Sequence, residues 1–177
     1  LIENENTEEE IRRIYRRYFK DVYKFIATFT NDRNDIEDLT QEVFIRLFKS
    51  LSTFKRQSSM NTWLFSIARN VTIDHVRKKK RQLIPEYVSK LLSPKQKSVE
   101  EVVQAKEEVS SLYHALNHLK HDYRMVVLLR GIYEFSIKET SQIMGWSESK
   151  VKVTYHRALK ILKNDLSEEV VTKERWV

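Results

Sequence analysis

Residues 147–160, SESKVKVTYHRALK, carry four cations and a histidine against one acid, yet their apolar residues recur at helical spacing. On a helix, Val151, Tyr155, Ala158 and Leu162 make one narrow stripe suited to burial. Ser149, Lys152, Val153, His156, Arg157, Lys160 and Lys163 stand opposite, with Lys150 next to the first of them. Such a face has the chemistry of duplex readout. Arginine and lysine donate to guanine O6 and N7 in a major groove, and later lysines meet phosphates. The stretch before it, SIKETSQIM, carries Ser136 and Glu139 at capping-box spacing, and Gly145 separates the two segments. A short helix, a tight turn and a second helix with a cationic outer face are the parts of a helix-turn-helix. Basic hairpins that merely face solvent are common, so this segment alone leaves both readings open.

Two further groups need placing. From Ile36 the apolar stripe is Ile36, Leu39, Val43, Phe44, Leu47 and Leu51, and Asp38, Gln41, Glu42, Ile45 and Lys49 lie away from it. A polar face with one isolated aliphatic residue suits a protein interface. The loop that follows, TFKRQSSMN, offers Lys55, Arg56, Ser58, Ser59 and Asn61, a short cationic and polar surface of the kind that single-strand capture requires. It leads into a helix with Met60, Leu64, Ile67, Ala68 and Val71 on its apolar face and Asn70, Ile73, Asp74 and Arg77 opposite. Arg77 and Lys78 open the basic run RKKKR. Trp63 borders the apolar stripe and reads as a packed tryptophan rather than a bare stacking platform.

Other chemistry is not encoded. There is no P-loop, no glycine-rich dinucleotide turn and no thiol, and the order of Ser, His and Asp suggests no triad. The expectation is therefore no catalytic residue, no cofactor and no small-molecule substrate. His114, His118 and His121 are placed by periodicity on the solvent face of one helix. The first pair has a zinc-compatible spacing, but nothing in the stretch completes a site, and no metal centre is assigned.

The elements that must carry these groups are helices. The 177 residues include only two glycines and two prolines, no cysteine, and 41% apolar residues, enough for a core and poor in β-turn signals. Residues 8–30 carry Ile11, Tyr15, Tyr18, Phe19, Val22, Phe25, Ile26 and Phe29 at spacings of three and four. The break TNDRND supplies a cap for the next helix. Residues 82–97 hold both prolines and several serines and read as a linker; Ser98 with Glu101 then has capping-box spacing. The helix it opens buries Val102, Ala105, Val109, Leu112, Leu116 and Leu119, and another runs over about 123–132. The fold class is all-α, with helical domains at 8–81 and 98–167 joined by a flexible linker.

The formal charge of +7 is segregated: residues 1–10 and 31–42 are acidic, whereas 69–81 and 147–163 are basic. One surface suits a polyanion and another a protein partner. The acidic start is the reverse of a signal peptide, and the apolar run Met125 to Leu129 is too short to span a bilayer, so a cytoplasmic location is expected.

Taken in order, three blocks resemble the extracytoplasmic-function (ECF) sigma factors of the sigma-70 family, most of all its SigX-type members. DIEDLTQEVFIRLFKSLSTF is similar to their region 2.1–2.2, SSMNTWLFSIARNVTIDHVRKKK to regions 2.3–2.4, and YRMVVLLRGIYEFSIKETSQIMGWSESKVKVTYHRALKIL to region 4. The resemblance implies a cytoplasmic sigma factor that binds core RNA polymerase, recognises the −35 and −10 promoter elements and directs initiation. It implies that Asp38, Gln41, Glu42, Ile45 and Lys49 grip the β′ clamp helices, while the second domain meets the β flap. It gives Lys55, Arg56, Ser58, Ser59, Asn61, Asn70, Asp74, Arg77 and Lys78 to the −10 element, with the loop pocketing a flipped base. It gives Ser149, Lys150, Lys152, Val153, His156, Arg157 and Lys160 to the −35 element. An anti-sigma factor, membrane-anchored in many members, is an implied partner. The rival is an autonomous helix-turn-helix regulator, which explains residues 98–163 but leaves 31–81 without a purpose.

Overall fold

The computed structural model describes the backbone of residues 2–54, 57–90 and 114–174, and the side chains of residues 8–54, 57–81 and 114–166. Among these every regular element is a helix. The order is α1 (Ile2–Ala27), α2 (Arg33–Ser50) with a 3-10 turn Leu51–Thr53, and α3 (Met60–Lys90). Then come α4 (residues 114–118), α5 (His121–Val127) with a π turn Leu128–Ile132, α6 (Ile137–Met144) and α7 (Glu148–Glu174). The pair Ser98 and Glu101 lies outside the described residues. α3 runs on to Lys90, into the segment expected as linker from residue 82.

The first module is α1–α3. Asp32 caps α2, accepting from the amides of Asn34 and Asp35. Val22, Phe25, Ile26, Val43, Phe44, Leu47, Leu64, Phe65, Ala68 and Val71 form its buried core. The α1 stripe is rotated slightly from its expected setting. Ile14 is buried, while Tyr15, expected inside, is 39% exposed with its ring leaning on Phe44 at 4.8 Å. Thr40 and Thr72 are wholly buried inside their helices, each hydroxyl donating to the carbonyl four residues back, Ile36 and Ala68. A threonine satisfied in this way counts as apolar in packing.

The second module is α4–α7. Ser136 and Glu139 form the expected reciprocal capping box at the start of α6. Gly145 ends that helix at φ +62°, a left-handed position that glycine occupies without strain. Ser147 accepts from the amide of Lys150 at the start of α7. Gly131, in the π turn, sits 3.7 Å from the Tyr155 hydroxyl at the position a Cβ would take.

The modules pack on each other. Phe65 of α3 lies among Phe25, Tyr133 and Phe135, with ring centroids at 5.3, 4.7 and 5.0 Å. Burying such a ring contributes about 1.5–3 kcal/mol, and each aromatic pair about 0.5–1.5 kcal/mol more. The Tyr133 hydroxyl donates to the Asp21 carbonyl at 2.9 Å. Arg124 donates to the carbonyls of Thr28 (2.7 Å) and Asn117 (2.6 Å), filling backbone acceptors left open where α1 and α4 end.

The three histidines do not share one face. The chain breaks at Leu119–Lys120, so His121 begins α5 while His114 and His118 belong to α4. His114 and His118 are exposed, but the His121 ring is 4.8 Å from Phe29 at the junction of the modules.

Candidate nucleic-acid interface and partner face

On α7 the sequence pattern and the burial agree. Val151, Ala158 and Leu162 are buried, and Thr154 joins them. Ser149, Lys150, Lys152, Val153, His156, Arg157 and Lys160 are all exposed, so the structure brings the seven expected duplex-facing residues onto one side of one helix. Val153 is 48% exposed, which leaves an apolar group free to meet a thymine methyl. Lys150 lies 3.8 Å from the centre of the Trp146 ring, which holds its ammonium close to the turn. The helix is aimed from behind by Tyr155, whose ring carries the Arg130 guanidinium at 5.6 Å. Arg130 also donates to the Phe135 carbonyl, tying the π turn to the start of α6.

On α2, Asp38, Gln41, Ile45 and Lys49 are exposed, with Ile45 at 45%, and Glu42 is half-buried. Glu42 accepts from Arg46 Nε at 2.7 Å, and the same guanidinium reaches Asp74 at 3.9 Å. Arg46 thus sits between the α2 face and the outer face of α3. Sequence periodicity did not single it out; its i,i+4 spacing from Glu42 was the available signal.

The third group divides. Lys55 and Arg56 lie outside the described residues. Ser58 and Asn61 are half-buried, and Ser59 is exposed. Ser59 caps α3, accepting from the Thr62 amide at 3.0 Å and pairing with the Thr62 hydroxyl at 2.8 Å. Asn70, Asp74, Arg77 and Lys78 are exposed on α3. The Asn70 carbonyl oxygen accepts from Arg69 at 2.9 Å. Trp63 is half-buried with Phe54 stacked on it at 4.5 Å and 15°, so one face of the indole is already taken. At the start of α2, His75 and Lys79 converge on Asp35 at 3.4 and 3.1 Å. Burial opposes the charge on Asp35, but the hydrogen bonds from Lys79 and Thr30 and the nearby charge at His75 and Lys79 outweigh it and hold the carboxyl below its ordinary range.

A helix-turn-helix packed on a second helical module, with cationic surfaces on both, is the layout of a nucleic-acid-binding protein. Family models described as "Sigma-70 region 2" and "Sigma-70, region 4" match residues 14–82 and 110–162. The chain is 40% identical over 175 residues to "ECF RNA polymerase sigma factor SigX" of Bacillus subtilis (strain 168), covering 94% of this chain and 90% of that one. It is 34% identical to "ECF RNA polymerase sigma factor SigM" of the same organism, over 86% of this chain and 93% of the relative. The fold is shared with sigma factor RpoE from Bartonella quintana, solved with the anti-sigma factor NepR. That likeness has a TM-score of 0.74 at 21% identity, covering 90% of this chain and 98% of the other. CnrH, solved with the cytosolic domain of CnrY, gives a TM-score of 0.67 at 20% identity over 91% and 90% of the two chains. The chain belongs to the ECF sigma factors of the sigma-70 family.

Proposed function

We propose that this chain directs RNA polymerase to promoters by dividing the work among three surfaces. The α2 face of Asp38, Gln41, Glu42, Ile45 and Lys49 grips the β′ clamp helices. The loop before α3, with the outer face of α3 through Lys78, takes the −10 element as an unpaired strand. The outer face of α7 docks on the −35 duplex while this module meets the β flap. The division into a first domain at 8–81 and a second at 98–167 belongs to the same reading. One observation carries it: both sigma regions occur in order on one chain whose α2 keeps an exposed polar face around Ile45, separate from the two cationic elements. An autonomous operator-binding regulator has no use for that face.

The chain acts by binding, not by a reaction of its own, and works in the cytoplasm, where the polymerase is. Among the described residues no helix is long and apolar enough to cross a membrane. An anti-sigma factor is a proposed partner, since RpoE, which shares this fold, was solved with one.

Reconstitution with core polymerase tests the proposal. Transcription from a selected promoter is expected only with both components. Asp38→Ala with Gln41→Ala should leave melting almost unchanged, as exposed substitutions cost within about 0.5 kcal/mol, yet core binding should fall sharply. Undiminished core affinity removes the grip assignment; sequence-specific duplex binding with no polymerase dependence favours the autonomous regulator.

A further inference from the structure

The outer face of α1 carries a charge pattern that the three surfaces leave unused. Arg12, Arg13, Arg16, Arg17, Lys20 and Lys24 are all exposed, while Ile14, Val22, Phe25 and Ile26 of the same helix are buried. At helical spacing the six cations fall on one side, opposite the buried stripe. Arg12, Arg16, Lys20 and Lys24 form an unbroken i,i+4 ladder, with Arg13 and Arg17 as a shorter one beside it. Like charges at that spacing repel. A face that serves solubility alone mixes signs, as α2 does in pairing Arg33 with Glu37 and Arg46 with Glu42.

On α1 such pairing stops after the first turns. Arg12 is held by Glu8 at 2.6 Å, and Arg13 stands 4.0 Å from Glu10. Arg16, Arg17, Lys20 and Lys24 have no ion-pair partner among the described residues. The Arg17 guanidinium rests over the Tyr18 ring at 5.5 Å, a contact that uses none of its N–H donors. Asp21 is the single acid between Arg12 and Lys24, and it stands off the ladder. Such a row of like charges is complementary to a row of anions. It runs about 18 Å from Arg12 to Lys24 at helical rise, the length of about five phosphates of one strand at duplex spacing.

The position of the face says which polyanion. Glu10 lines a cavity together with Leu51, Phe54, Ser58 and Met60. The first turns of α1 therefore lie beside the segment proposed to receive the −10 strand. A strand that runs on from there over α1 passes from Glu10 to the cations. We propose that the outer face of α1 is a further DNA-contact surface, on which Arg16, Arg17, Lys20 and Lys24 hold phosphates of the promoter strand where it continues beyond the −10 element. These contacts fix the path of the strand and read no sequence. The inference rests on the reading of the loop before α3 as a strand-binding element and adds to it a phosphate track on a different helix.

The test uses holoenzyme assembled from the full chain and core polymerase. The probe is single-stranded DNA whose −10 bases come from a randomised pool enriched on wild-type holoenzyme, either bare or extended by about five nucleotides at one end or the other. Extension at one end should raise wild-type affinity roughly tenfold, since a single exposed charge pair is worth up to about fivefold. The variant Arg16→Gln, Arg17→Gln, Lys20→Gln, Lys24→Gln keeps good helix formers at exposed positions and should retain its helix content. It should lose the gain from extension and lower the salt slope by about 0.7 for each phosphate contact removed. Its ranking of −10 bases should match the wild type, and Lys20→Gln with Lys24→Gln should show a smaller loss of the same kind. An undiminished gain and slope would overturn the proposal and leave the face merely solvated. Reduced core affinity without DNA, at an unchanged DNA slope, would overturn it in favour of an acidic protein surface. The parent reading fails separately: if wild-type holoenzyme enriches no base from the pool, the loop before α3 reads no strand, whatever the α1 variants do.

Discussion

The Thr62 hydroxyl donates to Glu139 Oε1 at 3.3 Å, joining the start of α3 to the start of α6 across 77 residues. The bond sits inside a chain. Ser59 pairs with Thr62, and the other Glu139 oxygen accepts from the amide (2.9 Å) and hydroxyl (2.7 Å) of Ser136. Two helix caps, one beside the loop before α3 and one opening the helix-turn-helix, are therefore satisfied together. Ser136 first, then Thr62, holds the Glu139 carboxyl below its ordinary range.

Removing either end of that link should show coupling. Glu139→Ala loses the capping box and should cost about 1 kcal/mol. Thr62→Val should cost about 0.5–1.5 kcal/mol, the net worth of a hydrogen bond whose partners, Ser59 and Glu139, stay within reach of water. The double variant should be less destabilised than the sum, by about 0.5 kcal/mol or more. Urea unfolding of the four proteins reads the cycle; strict additivity would mean that the caps act independently. Because the Glu139 pKa is lowered on folding, its contribution is complete above the unfolded value and is lost as pH falls through the folded one.

His121 gives a second pH dependence at a separate window. Burial against Phe29 lowers its pKa, Arg124 and Lys80 lower it further, and Asp122 opposes them. Its ring is neutral in the folded protein, so the unfolded chain takes up the proton first. Stability should be full above about pH 6.5 and should decline below it, by at most about 1.4 kcal/mol per pH unit. Asp35 and Glu139 act with the same sign, but only within the carboxylate range. Urea midpoints measured between neutral and mildly acid pH should slope downward, and His121→Gln should flatten that slope. An unaltered slope in the variant would assign the effect elsewhere.

Local signals were legible and non-local ones were not. Gly145, the Ser136–Glu139 box and the α7 stripe follow from short-range rules, and each appears at its expected position. The α1 stripe was expected to bury Tyr15; Ile14 is buried instead, and Tyr15 lies across Phe44 at the edge of the core. The break between α4 and α5 has no glycine or proline to announce it. It is stabilised from a distance by Arg124, which supplies donors to the carbonyls of Asn117 and Leu119. The packing of the modules rests on Phe65, Tyr133 and Phe135, whose meeting no local pattern encodes. The exposed side of α7 was readable from periodicity, whereas Arg46 gains meaning only from Glu42 and Asp74, which stand beside it in space.

Arg157 and Lys160 share the exposed side of α7 but should behave differently toward DNA. Arg157→Ala should cost about 1–3 kcal/mol if it forks onto a base edge, and should relax preference at one base pair. Lys160→Ala should weaken all sequences alike and lower the salt slope by about 0.9. Holoenzyme binding to a set of −35 duplexes at several salt concentrations separates the two. An identical, sequence-independent loss in both variants would make Arg157 a phosphate contact only.

The loop before α3 invites a test that separates opening from reading. Asn61 is half-buried at the first turn of α3, and Asn70, Asp74 and Arg77 follow on the exposed side. Amide and carboxylate groups can address the Watson–Crick edge of an unpaired base, an edge hidden in duplex DNA. Opening the duplex costs roughly 1.4 kcal/mol per stacked step, more than one small helical module supplies. Opening should thus require core polymerase, while the isolated chain should show only weak binding with a single-strand preference. Asn61→Ala is a cleaner probe than Ser59→Ala, because Ser59 caps α3 and its loss should cost about 1 kcal/mol of stability in its own right. On an intact promoter Asn61→Ala should reduce open-complex formation. A template already mismatched over the −10 bases removes the melting cost but keeps the need for the base contact. The defect should therefore persist there at similar size. Complete rescue on the mismatched template would show that this residue assists melting and reads nothing.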